Sequence, residues 1–491
     1  MRLNPARSVL LKQLHIAVIG GGIAGLATSA ILAAAGQRVT LLEQNEWLGG
    51  KSRRIELLGQ RIDTGPSLVT FPAILDKVLQ RYELLSGSQL AAEERIQLLR
   101  LPEVGRYFYR DRAVDLPVPA GHDWHPAWQR YTAARAPDEL AIQQLLSSQI
   151  GSSKALLSAL RLAIAWRGRI NAAGYLNSLG WLPAELRAII AIHSLNAGLP
   201  PTETLTLYAS LPAVMANQGV MVPLGGVYEI PRLLGKLAER SGAEVRTGVR
   251  VSRIEAATDG SSGALVHIDS ESESRSEKYD WVVLAADSPA LDPERSNDDS
   301  RKLTCSGVAI FGVLKPNKKW SVVNHSVLLP DDPQSLDRSL TQGVWPEQTM
   351  SFVNYYPAGE IYPNERDVVA ILLTAPANGA EVTIEHPLIQ GELNRIQHQF
   401  GLKNPILDDL AAIRILDPQY FGSWGGHSGA LYGEARGLMR SGPFHLPKRK
   451  SRSGWLWRVG SSVHPGGGIP AVLGGVLMTT EQMLAKLAKQ A

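Results

Sequence analysis

The chain is poor in cysteine, in long apolar runs and in excess charge of one sign. Its single cysteine, Cys305, excludes an intramolecular disulfide and a metal cage built from several thiolates. No apolar run reaches the roughly 18 residues that a membrane-spanning helix needs. Residues 1–14 hold no apolar stretch of signal-peptide length. We therefore expect a cytoplasmic protein without a membrane-spanning helix.

The charge balance argues against nucleic acid as a partner. The formal net charge is only +4 over 491 residues, and the basic side chains are scattered except between Lys448 and Arg452. The length is about two to three times that of a usual domain, so we expect two or three interleaved units with a large core.

A strand, a glycine-rich turn and a helix are predicted near the start of the chain. Residues 15–20 are apolar enough for a buried strand, and residues 23–35 favour a helix. Between them, Gly20, Gly22 and Gly25 have the spacing G-x-G-x-x-G. In dinucleotide-binding folds this spacing lets the backbone turn tightly and approach a pyrophosphate at the helix N-terminus. An ordinary turn is the alternative, and the triplet alone does not decide between the two.

The next strand favours nucleotide binding. Residues 37–42 are predicted to form it, and Glu43 follows at its end, 23 positions after Gly20. An acidic side chain at this place binds the ribose hydroxyls in dinucleotide-binding folds. A surface glutamate at a strand end is the alternative.

Two further elements are not explained by a simple NAD-binding unit. They are Leu48-Gly49-Gly50-Lys51 and Asp63-Thr64-Gly65-Pro66-Ser67. The order of all these elements resembles the FAD-binding end of the amine oxidase and phytoene desaturase superfamily. That resemblance implies that Glu43 binds the adenosine ribose and that the Gly-Gly-basic loop lies along the dinucleotide.

The basic position of this loop departs from the family pattern. The usual arginine is Lys51 here, which keeps the charge but loses the bidentate fork. Arg53 and Arg54 are the candidates to compensate.

The middle of the chain contains a second cluster similar to the family. Residues 222–226 precede a predicted helix at 228–241 and a strand region that contains Val251. The resemblance implies that the backbone of Val251 contacts adenine. A purely structural helix and strand is the alternative.

An apolar segment at 281–286 is predicted to be a strand that returns the chain to the FAD sheet. The family commonly has Asn-Ala-Asp at its end. This chain has Ala285-Ala286-Asp287, so a side-chain contact from the first position is lost.

The C-terminal segment carries the most specific pattern. Residues 456–459 are predicted to form a strand, residues 460–470 read Gly-Ser-Ser-Val-His-Pro-Gly-Gly-Gly-Ile-Pro, and a helix is predicted from Ala471. Such a helix N-terminus suits an anion or a carbonyl oxygen. The segment closely resembles the C-terminal signature of phytoene desaturases and related carotenoid dehydrogenases.

The resemblance implies FAD as the cofactor and a set of residues that bind it. They are Gly20, Gly22, Ile23, Ala24, Gly25, Glu43, Gln44, Gly50, Lys51, Gly65, Pro66, Ser67, Val251, Ala285, Asp287, Gly460, Ser461, Gly468, Ile469 and Pro470. The implied fold is α/β, with a Rossmann-like FAD-binding domain of the two-dinucleotide-binding-loop type. We assign residues 1–90, 215–300 and 450–491 to this domain. Residues 91–214 and 301–449 are assigned to an inserted, mixed-sheet and helical substrate domain.

The function implied by the resemblance is FAD-dependent desaturation of a long apolar polyene such as a carotenoid, with hydroxylated carotenoids weakly favoured. A carotenoid isomerase, a retinoid saturase-like enzyme, an amine oxidase and a non-catalytic flavin- or lipid-binding protein remain alternatives. The acceptor that reoxidises the flavin is unknown; quinone and oxygen are candidates. His464, which the resemblance places at the flavin, is the one candidate catalytic side chain, and a structural role for it is equally open.

No metal site is predicted. His122 and His125 lie in a Gly-His-Asp-Trp-His-Pro loop without a nearby acidic or cysteine pair, so we interpret them as surface histidines. Cys305 is interpreted as a core thiol.

One segment suggests contact with a membrane surface. Residues 155–170 have an amphipathic helical pattern, and Lys154, Arg161, Arg167 and Arg169 lie in or beside it. Such a helix can lie in a bilayer interface and admit a lipid, which predicts peripheral membrane association. A helix packed on the core is the alternative. Residues 181–199 are predicted to form a similar, less basic helix.

Overall fold

The computed structural model describes residues 12–257, 263–269, 274–295, 302–423, 427–435 and 448–490. The strands in this part of the chain are β1 His15–Ile19, β2 Arg38–Leu42, β3 Arg54–Leu57, β4 Gln60–Asp63, β5 Leu98–Leu101, β6 Gly105–Tyr109, β7 Arg112–Leu116, β8 Val220–Pro223, β9 Glu244–Arg246, β10 Arg250–Ala256, β11 Ala264–Asp269, β12 Ser274–Tyr279, β13 Trp281–Leu284, β14 Ser306–Leu314, β15 His325–Leu328, β16 Ser351–Tyr356, β17 Val368–Ala375, β18 Leu410–Leu416 and β19 Leu456–Arg458.

The α-helices are α1 Ile23–Ala34, α2 Pro72–Ser86, α3 His125–Arg135, α4 Glu139–Ser147, α5 Ser153–Ala165, α6 Ala172–Asn177, α7 Ala184–Ala191, α8 Leu207–Gln218, α9 Glu229–Arg240, α10 Pro333–Gln342, α11 Pro387–Phe400, α12 Ile406–Asp409, α13 Pro418–Gly422 and α14 Ile469–Ala488. Short 3₁₀ helices occur at Ala92–Glu94, Ala136–Asp138, Ile192–Ala197, Pro289–Leu291 and His427–Gly429.

A five-stranded parallel sheet forms one half of the molecule, in the order β19-β13-β1-β2-β9. Its strands come from both ends and the middle of the chain. Helices α1, α2, α9 and α14 pack together on one face, and the antiparallel sheet β10-β11-β12 covers the other. Both faces are therefore buried, which explains why β1 and β13 are apolar almost throughout.

A seven-stranded mixed sheet forms the other half, in the order β18-β14-β17-β16-β15-β6-β7. Only the β15–β6 pair is parallel among the pairs of this sheet. Helices from the 125–218 region cover one face, and α11 packs on the other. With the parallel sheet, this arrangement confirms the predicted α/β fold with an inserted mixed-sheet and helical part.

Two predicted helices differ from the structure. The segment 181–199 contains α7 followed directly by a 3₁₀ helix, Ile192–Ala197. Pro183 precedes the first turn of α7, and Gly198 with φ +70° ends the 3₁₀ helix, so the helical part is shorter than predicted at its N-terminal end. The segment 155–170 is helical only to Ala165, since Arg167 and Gly168 both have positive φ. None of the described helices is long and apolar enough to cross a bilayer.

Candidate functional site

The first glycine loop joins β1 to α1 at the carboxyl edge of the parallel sheet. Gly20 has φ +108°, and a Cβ added there would lie 3.0 Å from the backbone nitrogen of Ala286. A Cβ on Gly25 would lie 1.9 Å from the carbonyl oxygen of Gly20. Glycine is therefore required at both positions, for the turn and for the packing of helix on strand.

The N-terminus of α1 is open toward a ligand. Gly22 begins this helix and has no side chain with which to cap it, and no acidic residue lies in the first turn, which starts with Ile23 and Ala24. A Cβ on Gly22 would meet no atom closer than the Cα of Gly50, 3.9 Å away. The backbone N–H groups of the first turn are available to an anion.

Glu43 stands at the end of β2, as predicted, and is buried. Its Oε2 accepts from the N–H of Gly21 (2.6 Å), and its Oε1 accepts from the N–H of Asn45 (2.9 Å). The carboxylate therefore holds the glycine loop at Gly21 and the backbone that follows β2 at Asn45. Gln44, next in the chain, is exposed.

The Gly-Gly-Lys loop packs directly against the first loop. The N–H of Gly49 donates to the carbonyl of Gly21 (2.8 Å), and a Cβ on Gly50 would lie 3.1 Å from the Cα of Gly22. A Cβ on Gly65 would lie 2.5 Å from the carbonyl oxygen of Lys51. The segment Gly65-Pro66-Ser67 is thus held against Lys51, although 14 positions separate Lys51 from Gly65.

The C-terminal loop meets the first loop from the opposite side. A Cβ on Gly460 would lie 3.5 Å from the carbonyl oxygen of Ala285 and 3.9 Å from the Cβ of Ala24. Helix α14 starts at Ile469 and Pro470, two residues earlier than predicted, with Gly468 as an N-cap that has no side chain. Cβ atoms on Gly466 and Gly468 would meet no atom closer than about 4 Å. Two uncapped helix N-termini therefore lie at one edge of the sheet.

Lys51 links the predicted Gly-Gly-Lys loop, the strand end at Asp287 and the C-terminal loop to Leu431, which lies in a segment that the sequence did not indicate. Its Nζ donates to the carbonyl oxygen of Leu431 (2.6 Å) and lies 3.4 Å from Oδ2 of Asp287. The hydroxyl of Ser462 donates to Oδ1 of Asp287. Burial opposes ionisation of Asp287, but the ammonium of Lys51 and the Ser462 hydroxyl outweigh it, and the pKa of Asp287 lies below its ordinary value.

Leu431, Tyr432 and Gly433 are the part of the site that sequence reasoning missed. A Cβ on Gly467 would lie 2.7 Å from the Tyr432 ring, and a Cβ on Gly198 would lie 2.8 Å from the same ring. Tyr432 therefore fills the space between the C-terminal loop and the helical part. Only the long-range path of the chain places it there, so no local pattern marks it.

His464 lies in the C-terminal loop, and its carbonyl oxygen packs beside Gly475 of α14. Burial, with the charges of Arg449 and Lys448, lowers the pKa of His464 to about 4. The imidazole is therefore neutral at neutral pH. Its catalytic role stays a prediction.

Val251 is buried on β10, and the N–H of Val249 two residues earlier donates to the carbonyl of Glu43 (2.9 Å). The structure thus puts Val251 near the Glu43 end of the site. Arg54 is used elsewhere, because it pairs with Asp63 (2.8 Å) and with Glu229 (3.2 Å).

The remaining candidates have local roles in the structure. The guanidinium of Arg53 lies 4.3 Å from the centre of the Trp47 ring. His122 accepts from the N–H of Trp124 (3.1 Å), and Nδ1 of His125 lies 2.7 Å from the carbonyl of Val118. Cys305 is buried, and burial raises the pKa of its thiol to about 12. Within the described residues, no group of three or more His, Cys, Asp or Glu side chains is arranged to hold a metal ion.

The arrangement fits FAD. An extended diphosphate can be bound by the open N-terminus of α1, where Gly22 and Gly50 leave space for it. The open N-terminus of α14 suits the anionic or carbonyl edge of the flavin, and binding of the flavin by Gly460, Ser461 and Gly468 stays a prediction.

Comparison with protein families gives a match to the model for flavin containing amine oxidoreductases over residues 23–361. Among curated proteins, the chain is 25% identical over 497 residues to a zeta-carotene-forming phytoene desaturase of Myxococcus xanthus, covering 96% of this chain and 94% of the relative. It is 23% identical to a 4,4'-diapophytoene desaturase of Staphylococcus haemolyticus, covering 96% of this chain and 99% of the relative.

The fold is similar to that of solved structures. Cyclohexylamine oxidase from Brevibacterium oxydans superposes with a TM-score of 0.63, covering 97% of this chain and 99% of the oxidase at 16% identity. At this identity the similarity concerns the fold alone.

Proposed function

Because the chain belongs to the family of flavin-containing amine oxidoreductases, we propose that this FAD-dependent oxidoreductase removes hydrogen from a long apolar polyene of the carotenoid type. The observation that carries the proposal is similarity to a phytoene desaturase and a 4,4'-diapophytoene desaturase along 96% of the chain. FAD, when bound, supplies the hydride acceptor that protein side chains lack.

In this proposal the residues of the chain bind the cofactor, orient it and shield it from water. The N-terminus of α1 would bind the diphosphate in the middle of the cofactor, and the N-terminus of α14 would bind the flavin edge. Lys51, paired with Asp287 and bonded to the carbonyl oxygen of Leu431, borders the same site. Removal of two hydrogens as a hydride and a proton also requires a proton acceptor. Water or the neutral imidazole of His464 fills that role in our proposal.

The test is turnover of defined polyenes by the FAD-loaded protein in lipid vesicles. Phytoene, neurosporene and a hydroxylated carotenoid are supplied separately, and products are followed by chromatography, absorbance and mass. A red-shifted product that has lost hydrogen supports desaturation. A blue-shifted product that has gained hydrogen, or a product of unchanged mass, would favour a saturase or an isomerase. Bound FAD that no polyene reduces but an amine does would favour an amine oxidase.

His464→Ala and His464→Gln test the proposed side chain. Reduced turnover with a normal flavin spectrum supports a role at the reacting bond. Full turnover in both variants contradicts it.

We also propose that the chain works in the cytoplasm, attached to a membrane surface by the outer face of α5. Ala155, Ser158 and Leu162 face inward and are buried. The opposite face carries Leu156, Leu157, Leu160 and Ile164, which are 58–71% exposed. A folded protein rarely leaves such a continuous apolar face in water unless something covers it.

The neighbourhood of α5 strengthens this proposal. Seven of the thirteen exposed large apolar side chains among the described residues fall between positions 140 and 170: Leu140, Ile150, Leu156, Leu157, Leu160, Ile164 and Ile170. Lys154, Arg161, Arg167 and Arg169 are all exposed there, and residues 140–184 contain no Asp or Glu. An apolar face flanked in the sequence by four exposed cations matches an anionic bilayer interface.

Vesicle flotation tests the membrane proposal. We expect the combined change of Leu157, Leu160 and Ile164 to glutamine to abolish flotation with vesicles of phosphatidylcholine and phosphatidylglycerol. Replacing Arg161, Arg167 and Arg169 with glutamate is expected to weaken it strongly. The matched control changes Leu84, Val344 and Ile413, exposed elsewhere, to glutamine. Equal flotation of wild type and both α5 variants would contradict the proposal.

A further inference from the structure

Three arginines in the described part of the chain are almost fully buried, and one of them differs from the others. Arg135 and Arg458 are 6% and 3% exposed, and each pairs with a buried carboxylate, Asp138 or Asp292. Arg449 is 8% exposed and forms no ion pair with any described carboxylate. A guanidinium does not lose its proton, so a buried one without a counter-charge is costly.

The partners that Arg449 does have are neutral. Its Nη1 donates to Sδ of Met478 (3.1 Å), and its Nη2 donates to Oε1 of Gln149 (3.1 Å). Glu481 is near, but its carboxylate accepts from Nε2 of Gln149 (3.1 Å). Burial is the cause that lowers the pKa of Arg449, with no carboxylate to offset it.

Gln149 places this cation beside the proposed membrane surface. It lies in the connection between α4 and α5, and its neighbour Ile150 is one of the exposed apolar residues. The connection is firmly held, because a Cβ on Gly474 of α14 would lie 1.9 Å from the carbonyl oxygen of Leu146 at the end of α4. Arg449 thus lies directly behind the tip of the α4–α5 hairpin.

We propose that Arg449, positioned by its hydrogen bond to Gln149, binds a phosphate group, and that this group is the headgroup of an anionic phospholipid. The planar guanidinium matches two phosphate oxygens, and the headgroup supplies the missing counter-charge at the depth where the apolar tip enters the bilayer. The proposal rests on membrane docking by α5. The charge of Arg449 reaches His464 in the C-terminal loop, but its hydrogen bonds go to Gln149 and to Met478, nine positions after the first residue of α14.

The test compares Arg449→Met with Arg452→Met in the FAD-loaded full chain. Both variants lose one positive charge from the same segment, but Arg452 is exposed. Binding is measured to vesicles of phosphatidylcholine alone and to vesicles that also contain phosphatidylglycerol. Thermal unfolding is measured with and without inorganic phosphate.

The expected result is that Arg449→Met keeps binding to phosphatidylcholine but loses most of the preference for phosphatidylglycerol, whereas Arg452→Met loses little. Inorganic phosphate should raise the Tm of wild type and of Arg452→Met, but not that of Arg449→Met. Without phosphate, Arg449→Met should melt above wild type, because a buried unpaired charge has been removed.

Other outcomes distinguish three claims: the lipid headgroup as occupant, the phosphate site at Arg449, and docking by α5. A phosphate-dependent Tm without any difference in lipid preference would overturn the lipid headgroup as the occupant and leave a site for free phosphate. Equal responses of Arg449→Met and Arg452→Met in both measurements would overturn the site itself. If the wild type does not bind vesicles at all, docking by α5 is contradicted. The effect of phosphate on Tm would then still test whether Arg449 binds phosphate.

Discussion

Helices α5 and α14 are both rich in apolar residues, but they bury them to opposite extents. In α14, Leu473, Val476 and Met483 are fully enclosed against α1, α2 and α4. In α5, Leu157 and Ile164 point into solvent. An apolar helix face in a sequence therefore indicates that the face must be kept from water. Whether another part of the protein buries it depends on the tertiary structure.

The strongest effect is expected from a change in the first glycine loop, which should remove FAD but leave membrane binding by the α4–α5 hairpin. Gly25→Ala puts a Cβ 1.9 Å from the carbonyl of Gly20, so we expect loss of bound FAD, measured by absorbance of the purified protein, and a lower Tm. Flotation with vesicles should persist where the variant is folded. Gly391→Ala is the matched control, because this glycine also lies within a helix, α11, but its added Cβ meets no atom within 4 Å. It should stabilise by about 0.5–1 kcal/mol. Normal FAD content in Gly25→Ala would refute the packing argument.

An intermediate effect compares the two helices directly. Leu473→Ala should lower the free energy of unfolding by about 2–5 kcal/mol, because it leaves a cavity in the core. Leu157→Ala should change it by less than about 0.5 kcal/mol in water, yet reduce vesicle binding. Urea unfolding and flotation measure the two quantities. A large loss of stability in Leu157→Ala would show that α5 is covered within the protein.

The smallest effect concerns pH at the C-terminal loop. The pKa of His464 is lowered from 6.5 to about 4 by burial, Arg449 and Lys448. Below pH 6.5 the unfolded imidazole takes up a proton that the folded one takes up only near pH 4. The free energy of unfolding therefore falls as pH decreases through this window, by up to about 3 kcal/mol from this group. His464→Gln should show a correspondingly shallower decrease in urea unfolding between pH 7 and pH 4. An unchanged slope would mean that His464 is exposed to water.

The sequence predicts the flavin part well because its elements depend on local backbone geometry. Gly20 and Gly25 are needed by a turn and a helix start within six residues of each other, so their spacing alone marks the loop. The family match confirms the superfamily that these loops indicated. The predicted helix at 181–199 is wrong as a single α-helix, since α7 starts only after Pro183 and changes to a 3₁₀ helix at Ile192.

Local patterns in the sequence are enough to predict the strand–loop–helix units, the family and the basic apolar segment around α5. The complete fold is needed to show that Lys51 donates to Leu431, 380 positions away, that Tyr432 fills the gap beside Gly467, and that Arg449 is buried without an ion pair to any described carboxylate. The two groups differ in the range of the interactions that set them. Backbone turns and helix caps are set by residues a few positions apart, whereas burial and pairing of side chains are set by whichever segments the complete fold brings together.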